Sequence, residues 1–147
     1  MQIRVQRAPF DFGAESAAFG AGRTDIGAVV TFCGIVRDTG PSRLQVMEIE
    51  HYPAMTERAL RQIAETASSR WTLLDCLIIH RHGRLEPGER IMMVATAAAH
   101  RADAFSAAEF LMDYLKSRAP FWKKETTAAG TDWVAPRPED DTARERW

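Results

Sequence analysis

From Gly27 to Arg37 the chain reads Gly-Ala-Val-Val-Thr-Phe-Cys-Gly-Ile-Val-Arg, and this near-continuous apolar, β-branched run predicts a strand covered on both faces. Gly34 inside it is expected to mark a bulge or the close approach of another backbone. Asp38 to Arg43, which holds Gly40-Pro41, reads as a loop, and Leu44 to Tyr52 as a second strand of mixed polarity. The two strands are expected to pair as a hairpin. Pro53 suits the first turn of a helix in which Met55, Ala59, Ile63 and Ala67 recur every four residues as a buried stripe, leaving Glu57, Arg58, Arg61 and Glu65 to water.

Cys76 to Ile79 is a short apolar strand, and the Pro87-Gly88 turn leads into a strong strand from Arg90 to Ala97, a second expected hairpin. Phe105, Ala108, Leu111, Met112 and Leu115 keep helical spacing from Arg101 to about Arg118. There Pro120 disfavours helix at the residue before it. Strands, helix, strands and helix in that order imply an α+β sandwich. The segment 136–147 is nearly all polar and reads as a docking or disordered tail on a single domain spanning 1–135.

Composition narrows the partners. At 147 residues the chain is the size of one domain, and 19 Lys and Arg against 20 Asp and Glu leave a net charge of -1. No global field draws nucleic acid or an anionic membrane, so any anion site is local. No stretch approaches the ~18 apolar residues of a membrane span, and the N-terminus lacks a signal-peptide core, so a cytoplasmic location is expected. Cys33 and Cys76 stand far apart in apolar runs and are expected to be buried thiols. His51, His80 and His82 show no metal-ligand spacing and read as structural; no metal and no cofactor is expected.

The chemistry concentrates in Tyr114-Leu-Lys-Ser-Arg-Ala-Pro-Phe-Trp-Lys-Lys-Glu125, which gathers cations around a helix end. Basic residues there can simply offset the helix dipole on a solvated face. Alternatively, Phe121 and Trp122 seek burial and turn Lys116 and Lys123 toward one pocket. Two ammonium groups about 4 Å apart repel by roughly 4 kcal/mol at an effective dielectric near 20, so such a pair either binds an anion or supplies a neutral amine. At Ala99-His100-Arg101 a strand gives way to a helix, where free N–H groups and an arginine suit a phosphate, or the two side chains merely face solvent. Arg37 closes an apolar strand and can fork onto an anion or stand as a rim charge.

Gly27-Ala-Val-Val-Thr-Phe32 with Gly34 and Val36-Arg37, Glu50-His-Tyr-Pro53 with Met55, Ala99-His-Arg101 with Ala104-Phe105, and the Lys116 to Glu125 window together resemble the molybdopterin synthase large (catalytic) subunit family. The resemblance runs in order from about Gly27 to Val134 and implies an α/β hammerhead-like, two-layer domain with an added antiparallel β subdomain. It implies a sulfurtransferase: a small ubiquitin-like carrier subunit brings sulfur as a thiocarboxylate on its C-terminal Gly-Gly, and cyclic pyranopterin monophosphate receives it to form the molybdopterin dithiolene. It further implies a homodimer core of a heterotetramer, with the precursor site shared across the dimer, so that His100 and Arg101 serve the neighbouring subunit's lysines.

By the same resemblance Lys116 and Lys123 are the catalytic pair, and Ile35, Val36, Arg37, His100, Arg101, Lys116, Lys123, Lys124, Glu125 and Arg137 bind substrate. Lys123 is expected to position the thiocarboxylate while Lys116 stabilises charge or moves a proton. Two rivals remain: a persulfide carrier working through Cys33, and a scaffold that binds a ubiquitin-like tail without turnover.

Overall fold

A computed structural model describes residues 1–38, 41–135 and 137–147, with the side chain of Arg144 left aside. Thr39 and Gly40 of the expected loop, and Pro136 at the start of the tail, lie outside the described residues. In chain order the elements are β1 (Gln2–Gln6), α1 (Phe12–Ala18), β2 (Ala28–Ile35), β3 (Leu44–His51), α2 (Pro53–Arg70) and β4 (Asp75–Arg81). They continue with β5 (Gly83–Leu85), β6 (Arg90–Ala98), α3 (Arg101–Ser117), β7 (Phe121–Thr127), β8 (Gly130–Trp133) and α4 (Pro138–Arg144). None of the described helices is long and apolar enough to cross a membrane.

Two four-stranded sheets form, one in the order β1-β4-β6-β2 and the other in the order β5-β3-β7-β8. Only the β1–β4 pair of these ladders is parallel. The α+β expectation holds, with the second, wholly antiparallel sheet as the added layer.

Strand alternation builds the core of the first sheet. Cys76 and Ile78 of β4 join Met92 and Val94 of β6 beneath α2 and α3, while Leu77, Ile79, Met93 and Ala95 turn to the opposite face and meet Phe10, Phe12 and Phe19. At ~25 cal/mol per Å² of apolar surface removed from water, these two layers supply the main favourable term of folding. The expected β4–β6 hairpin is present, with His80 opposite Met92 and Asp75 opposite Ala97. Its turn follows the Pro-Gly pair: Gly88 has φ +90, and Glu89 N–H donates to the Glu86 carbonyl at 3.1 Å.

The first expected hairpin is not there. The strand from Ala28 pairs with β6, whereas β3 pairs with β5 and β7 in the other sheet. Nor is β2 covered on both faces. It is the edge of its sheet, and Val29, Phe32 and Ile35 are exposed at 43%, 38% and 58%. Apolarity reports a preference for burial without naming the surface that supplies it, and within one chain that surface is absent from β2. The register shift at Gly34/Ile35 matches the expected bulge; a Cβ at Gly34 would meet Met92 and Ile91 side chains rather than a backbone.

In α2 the buried stripe is Thr56, Leu60, Ile63, Ala64 and Ala67, with Met55 exposed at 48% and Ala59 half-buried, a rotation of the expected face by about one residue. In α3, Phe105 is exposed at 62% while Ala104, Ala107 and Ala108 face the sheet, because small residues let the helix approach β6 closely. Thr96 Oγ1 anchors the first turn by donating to the Ala104 carbonyl at 2.8 Å.

The tail docks on its own chain. Trp147 packs edge-on against Trp71 and Phe110, its Nε1 donates to Asp113 at 2.7 Å, and Arg146 pairs with Glu109 and Asp113. This latch brings α4 beside α3.

Candidate active site

After Arg118 caps α3 the chain passes Pro120 and enters β7 directly, with Thr56 Oγ1 of α2 donating to the Pro120 carbonyl at 3.3 Å. Alternation then sorts the cationic window onto two faces. Phe121 and Lys123 stand opposite His51 and Ile49, on the face where Ile49 is buried. Trp122 and Lys124 point outward: Lys124 Nζ lies 4.7 Å from the Trp133 ring centroid and 3.9 Å from the Glu50 carboxylate. At the end of β3, Glu50, His51, Tyr52, Trp122 and Trp133 line a cleft of about 300 Å³.

Lys123 is partly buried and Lys116, in the last turn of α3, is exposed. Burial, then the positive charge of Lys116, pushes the Lys123 ammonium down to about 8 from 10.5, with Asp140 and Glu125 pulling the other way. The lysines therefore sense one another across the gap between α3 and β7. Asp140 reaches the site from the docked tail, whose first residue beyond Pro136, Arg137, caps α4 at its N-terminus and is exposed.

His80 of the first sheet neighbours both lysines. It is 2% exposed, and its ring stacks on Phe121 with centroids 3.7 Å apart and planes 13° apart. Its Nδ1 lies 2.8 Å from the Arg81 carbonyl, an acceptor only, so Nδ1 carries the proton and donates. Burial pushes His80 down to about 3, with Lys123, Lys116 and His51 adding to the effect and the Arg81 carbonyl opposing it, so the ring is neutral. The ring centroids of His51 and His82 lie 4.4 Å apart, and burial lowers the pKa of both.

Of the remaining expected binding residues, Val36 is 3% exposed, with its side chain in the core and its backbone tied to the turn before β6 (Val36 N–H to Glu89 carbonyl 2.9 Å, Gly88 N–H to Val36 carbonyl 2.7 Å). Ile35 and Arg37 on either side of it are exposed. Residue 28 pairs with residue 98 and residue 35 with residue 90, so Arg37 lies at the end of the sheet where β6 begins. His100 and Arg101 lie at the other end, exposed at the start of α3, where His100 makes no side-chain cap. Gly27 permits this corner, since a Cβ there would sit 2.1 Å from the Ala99 carbonyl oxygen. Along α3, Arg101 and Lys116 are about 22 Å apart at 1.5 Å per residue. One protomer thus gathers Lys116, Lys123 and Glu125 and keeps His100 and Arg101 away from them, while Lys124 faces outward.

Sequence reasoning misses His80 as a neighbour of the lysines and misses Asp140 altogether. The alternation Cys76, Ile78, His80 is a signal for the first; a short acidic helix in a polar tail offers none for the second. Cys33 is half-buried, and burial raises its thiol pKa with partial relief from Arg90; Cys76 is buried and pushed up to about 12. Neither is a thiolate at neutral pH.

The sequence model of the MoaE protein family matches residues 5–118. The chain is similar, at 65% identity over 147 residues and 100% of both chains, to a molybdopterin synthase catalytic subunit of Cereibacter sphaeroides. Among solved structures it is similar to a molybdopterin biosynthesis MoaE protein from Burkholderia ambifaria MC40-6, with TM-score 0.84 and 53% identity, covering 99% of this chain and 97% of that one. At 19% identity and TM-score 0.78 the fold alone is shared with a chain from a protein–protein complex of subunits 1 and 2 of a molybdopterin-converting factor from Helicobacter pylori 26695, over 92% of this chain and 91% of that one.

Proposed function

The chain belongs to the MoaE protein family, and on that premise we propose that it is the catalytic subunit of a molybdopterin synthase, with the roles of its residues as follows. It transfers sulfur from the thiocarboxylated C-terminus of a small ubiquitin-like carrier to cyclic pyranopterin monophosphate, making the dithiolene of molybdopterin. The observation that carries the site assignment is the lysine pair, one exposed and one partly buried with its ammonium pushed down to about 8.

Both reactants are anionic, and the two amines suit different tasks. Exposed Lys116 is a fixed cation for the carrier's thiocarboxylate. Buried Lys123 exchanges its proton near neutral pH, which suits an acid that protonates the oxygen leaving the pterin side chain as sulfur bonds to carbon. This inverts the division of labour expected from sequence. For each sulfur delivered, a thiocarboxylate becomes a carboxylate and water supplies the replacing oxygen. Arg37, at the lysines' end of the first sheet, and Arg137, beside Asp140, complete the cationic wall; Ile35 and Glu125 border it.

His100 and Arg101 bind the precursor's phosphate at the free N–H groups of α3, and they do so for the lysines of a second copy, in a homodimer flanked by two carriers. The apolar, exposed edge strand β2 is compatible with such a dimer. The biosynthetic role of the relatives supports a cytoplasmic location.

Mixing the protein with a thiocarboxylated carrier and cyclic pyranopterin monophosphate is expected to yield dithiolene product. A folded, carrier-bound protein that gives none would transfer the argument to the scaffold reading. In the same assay Cys33→Ser is expected to keep wild-type rates within about twofold, since a protonated thiol is a poor sulfur carrier. Loss of product in that variant would favour the persulfide reading.

A further inference from the structure

Lys116 and Lys123 belong to different layers: Lys116 rides on α3, which packs on the first sheet, and Lys123 on β7 of the second. Their separation depends on the short 118–120 link between the two elements and on how β7 docks on the first sheet, and beside Lys123 that docking includes the ring stack of His80 on Phe121. Phe121 precedes Lys123 by two residues on the same face of the strand, so fixing one ring fixes the root of the other side chain. His80 is itself held firmly. It lies on the central strand β4 between β1 and β6, its Nδ1 donates to the Arg81 carbonyl, and the Arg81 guanidinium is bound to the Arg7 carbonyl and Glu89.

We infer that His80 is a positioning residue for the lysine pair: its pinned, stacked ring holds the root of Lys123 against the first sheet, which fixes that side chain relative to Lys116 and keeps it covered from water. Nothing in the assigned chemistry requires a histidine here. A cationic ring would add a third positive charge to the pocket, and the neutral form, with Nδ1 committed to a carbonyl, avoids it. Around His80 the charged or titratable groups are Lys123, Lys116 and His51; around Lys123 they are Lys116, Asp140 and Glu125. Lys116 on α3 and Asp140 on α4, which docks beside α3, both face Lys123 from across the seam; loosening the stack weakens the Lys116 repulsion and the Asp140 attraction together and admits water, and because burial and then Lys116 outweigh Asp140 the net change restores the ammonium of Lys123.

The inference rests on the lysine-pair reading and is tested by a readout that does not require turnover. The pH dependence of acetic anhydride labelling at Lys123 is followed by mass spectrometry in the full chain for wild type, His80→Ala and His80→Phe. Wild type is expected to reach half-reactivity near 8, His80→Ala to move toward the ordinary 10.5, and His80→Phe, which keeps a stacking ring, to stay near 8. Single-turnover sulfur transfer at neutral pH is expected to fall by about tenfold in His80→Ala, with KM for the carrier little changed and most of the rate regained in His80→Phe.

A folded His80→Ala with the wild-type midpoint overturns the inference, as does a His80→Phe midpoint that moves as far as that of His80→Ala. Should His80→Ala fail to fold, Phe121→Leu opens the same seam from the other side, and its midpoint decides in the same way. Failure of the underlying reading is distinguishable: Lys116→Ala and Lys123→Ala would then retain full transfer while the His80 variants still moved the midpoint.

Discussion

Replacing either Lys116 or Lys123 with alanine is expected to slow sulfur delivery to the precursor by about 100-fold or more, a barrier increase of roughly 2.7 kcal/mol. The size follows from what each amine supplies. A fixed cation facing the developing charge in a partly desolvated pocket and a positioned acid are each worth a hundredfold or more, and neither has a neighbour able to replace it. Lys124, the adjacent cation, is committed to Trp133 and Glu50 on the opposite face. Lys124→Ala is accordingly expected to cost far less than Lys123→Ala in the same single-turnover measurement. Equal, wild-type rates in Lys116→Ala and Lys123→Ala would leave the family intact and remove the mechanism.

The pH profile separates the two lysines. If Lys123 delivers a proton, the rate is highest where it is charged and falls as pH rises through about 8. In Lys116→Ala the like charge is gone, so the residual rate should keep its acid form to higher pH and the falling limb should move alkaline. A limb that stays put would mean that another group titrates there.

Stability gives an independent check on the sign. The unfolded lysine binds its proton up to 10.5 and the folded one only to about 8, so between these values the unfolded state holds more protons and stability rises with pH. Below 8 both states are charged and the cost of burying the charge is present in full. Lys123→Met, which keeps the aliphatic stem without the charge, is thus expected to melt no lower than wild type at neutral pH, even as activity collapses.

The lysine window is legible because its signals are local. Pro120 must stop the helix and the aromatics must seek cover; the strand that begins at Phe121 is not among the expected elements, and its alternation by two is readable only once the strand is known. What alternation also says, and composition hides, is that Lys123 and Lys124 cannot share a face. The sheet partners are not local. The apolar run from Ala28 to Ile35 and the mixed strand after it suggest a hairpin, yet each finds a better partner far along the chain, β6 for one and β5 and β7 for the other. A single strand's apolarity carries its demand for burial and no information on register across a long loop. Asp140 depends on tertiary structure in the same way: the seven mostly polar residues of α4 form a helix because Trp147 finds Trp71 and Phe110 and Arg146 finds Asp113, contacts at the end of α2 and on α3. His80 is intermediate, with a readable face and an unreadable stacking partner.

Equal mixtures of Arg101→Ala and Lys123→Ala subunits are expected to recover roughly a quarter of wild-type activity although each variant alone is nearly inactive. The reason is geometric. Arg101 opens α3 and Lys116 lies in its last turn, about 22 Å apart along the helix axis, and Arg37 and His100 lie beyond opposite ends of the β2–β6 ladder. A precursor whose phosphate sits on His100 and Arg101 is thus out of reach of the lysines of that chain, and the proposed shared site supplies those of a second copy instead. When two variants are unfolded and reassembled together, half the dimers are mixed. Each mixed dimer carries one site with both defects and one with none, so a quarter of all sites are intact. If phosphate and amine groups came from one chain, every site in the mixture would carry a defect and the rate would stay at that of the single variants. The comparison needs no knowledge of the mechanism, only of which protomer supplies which end of the substrate.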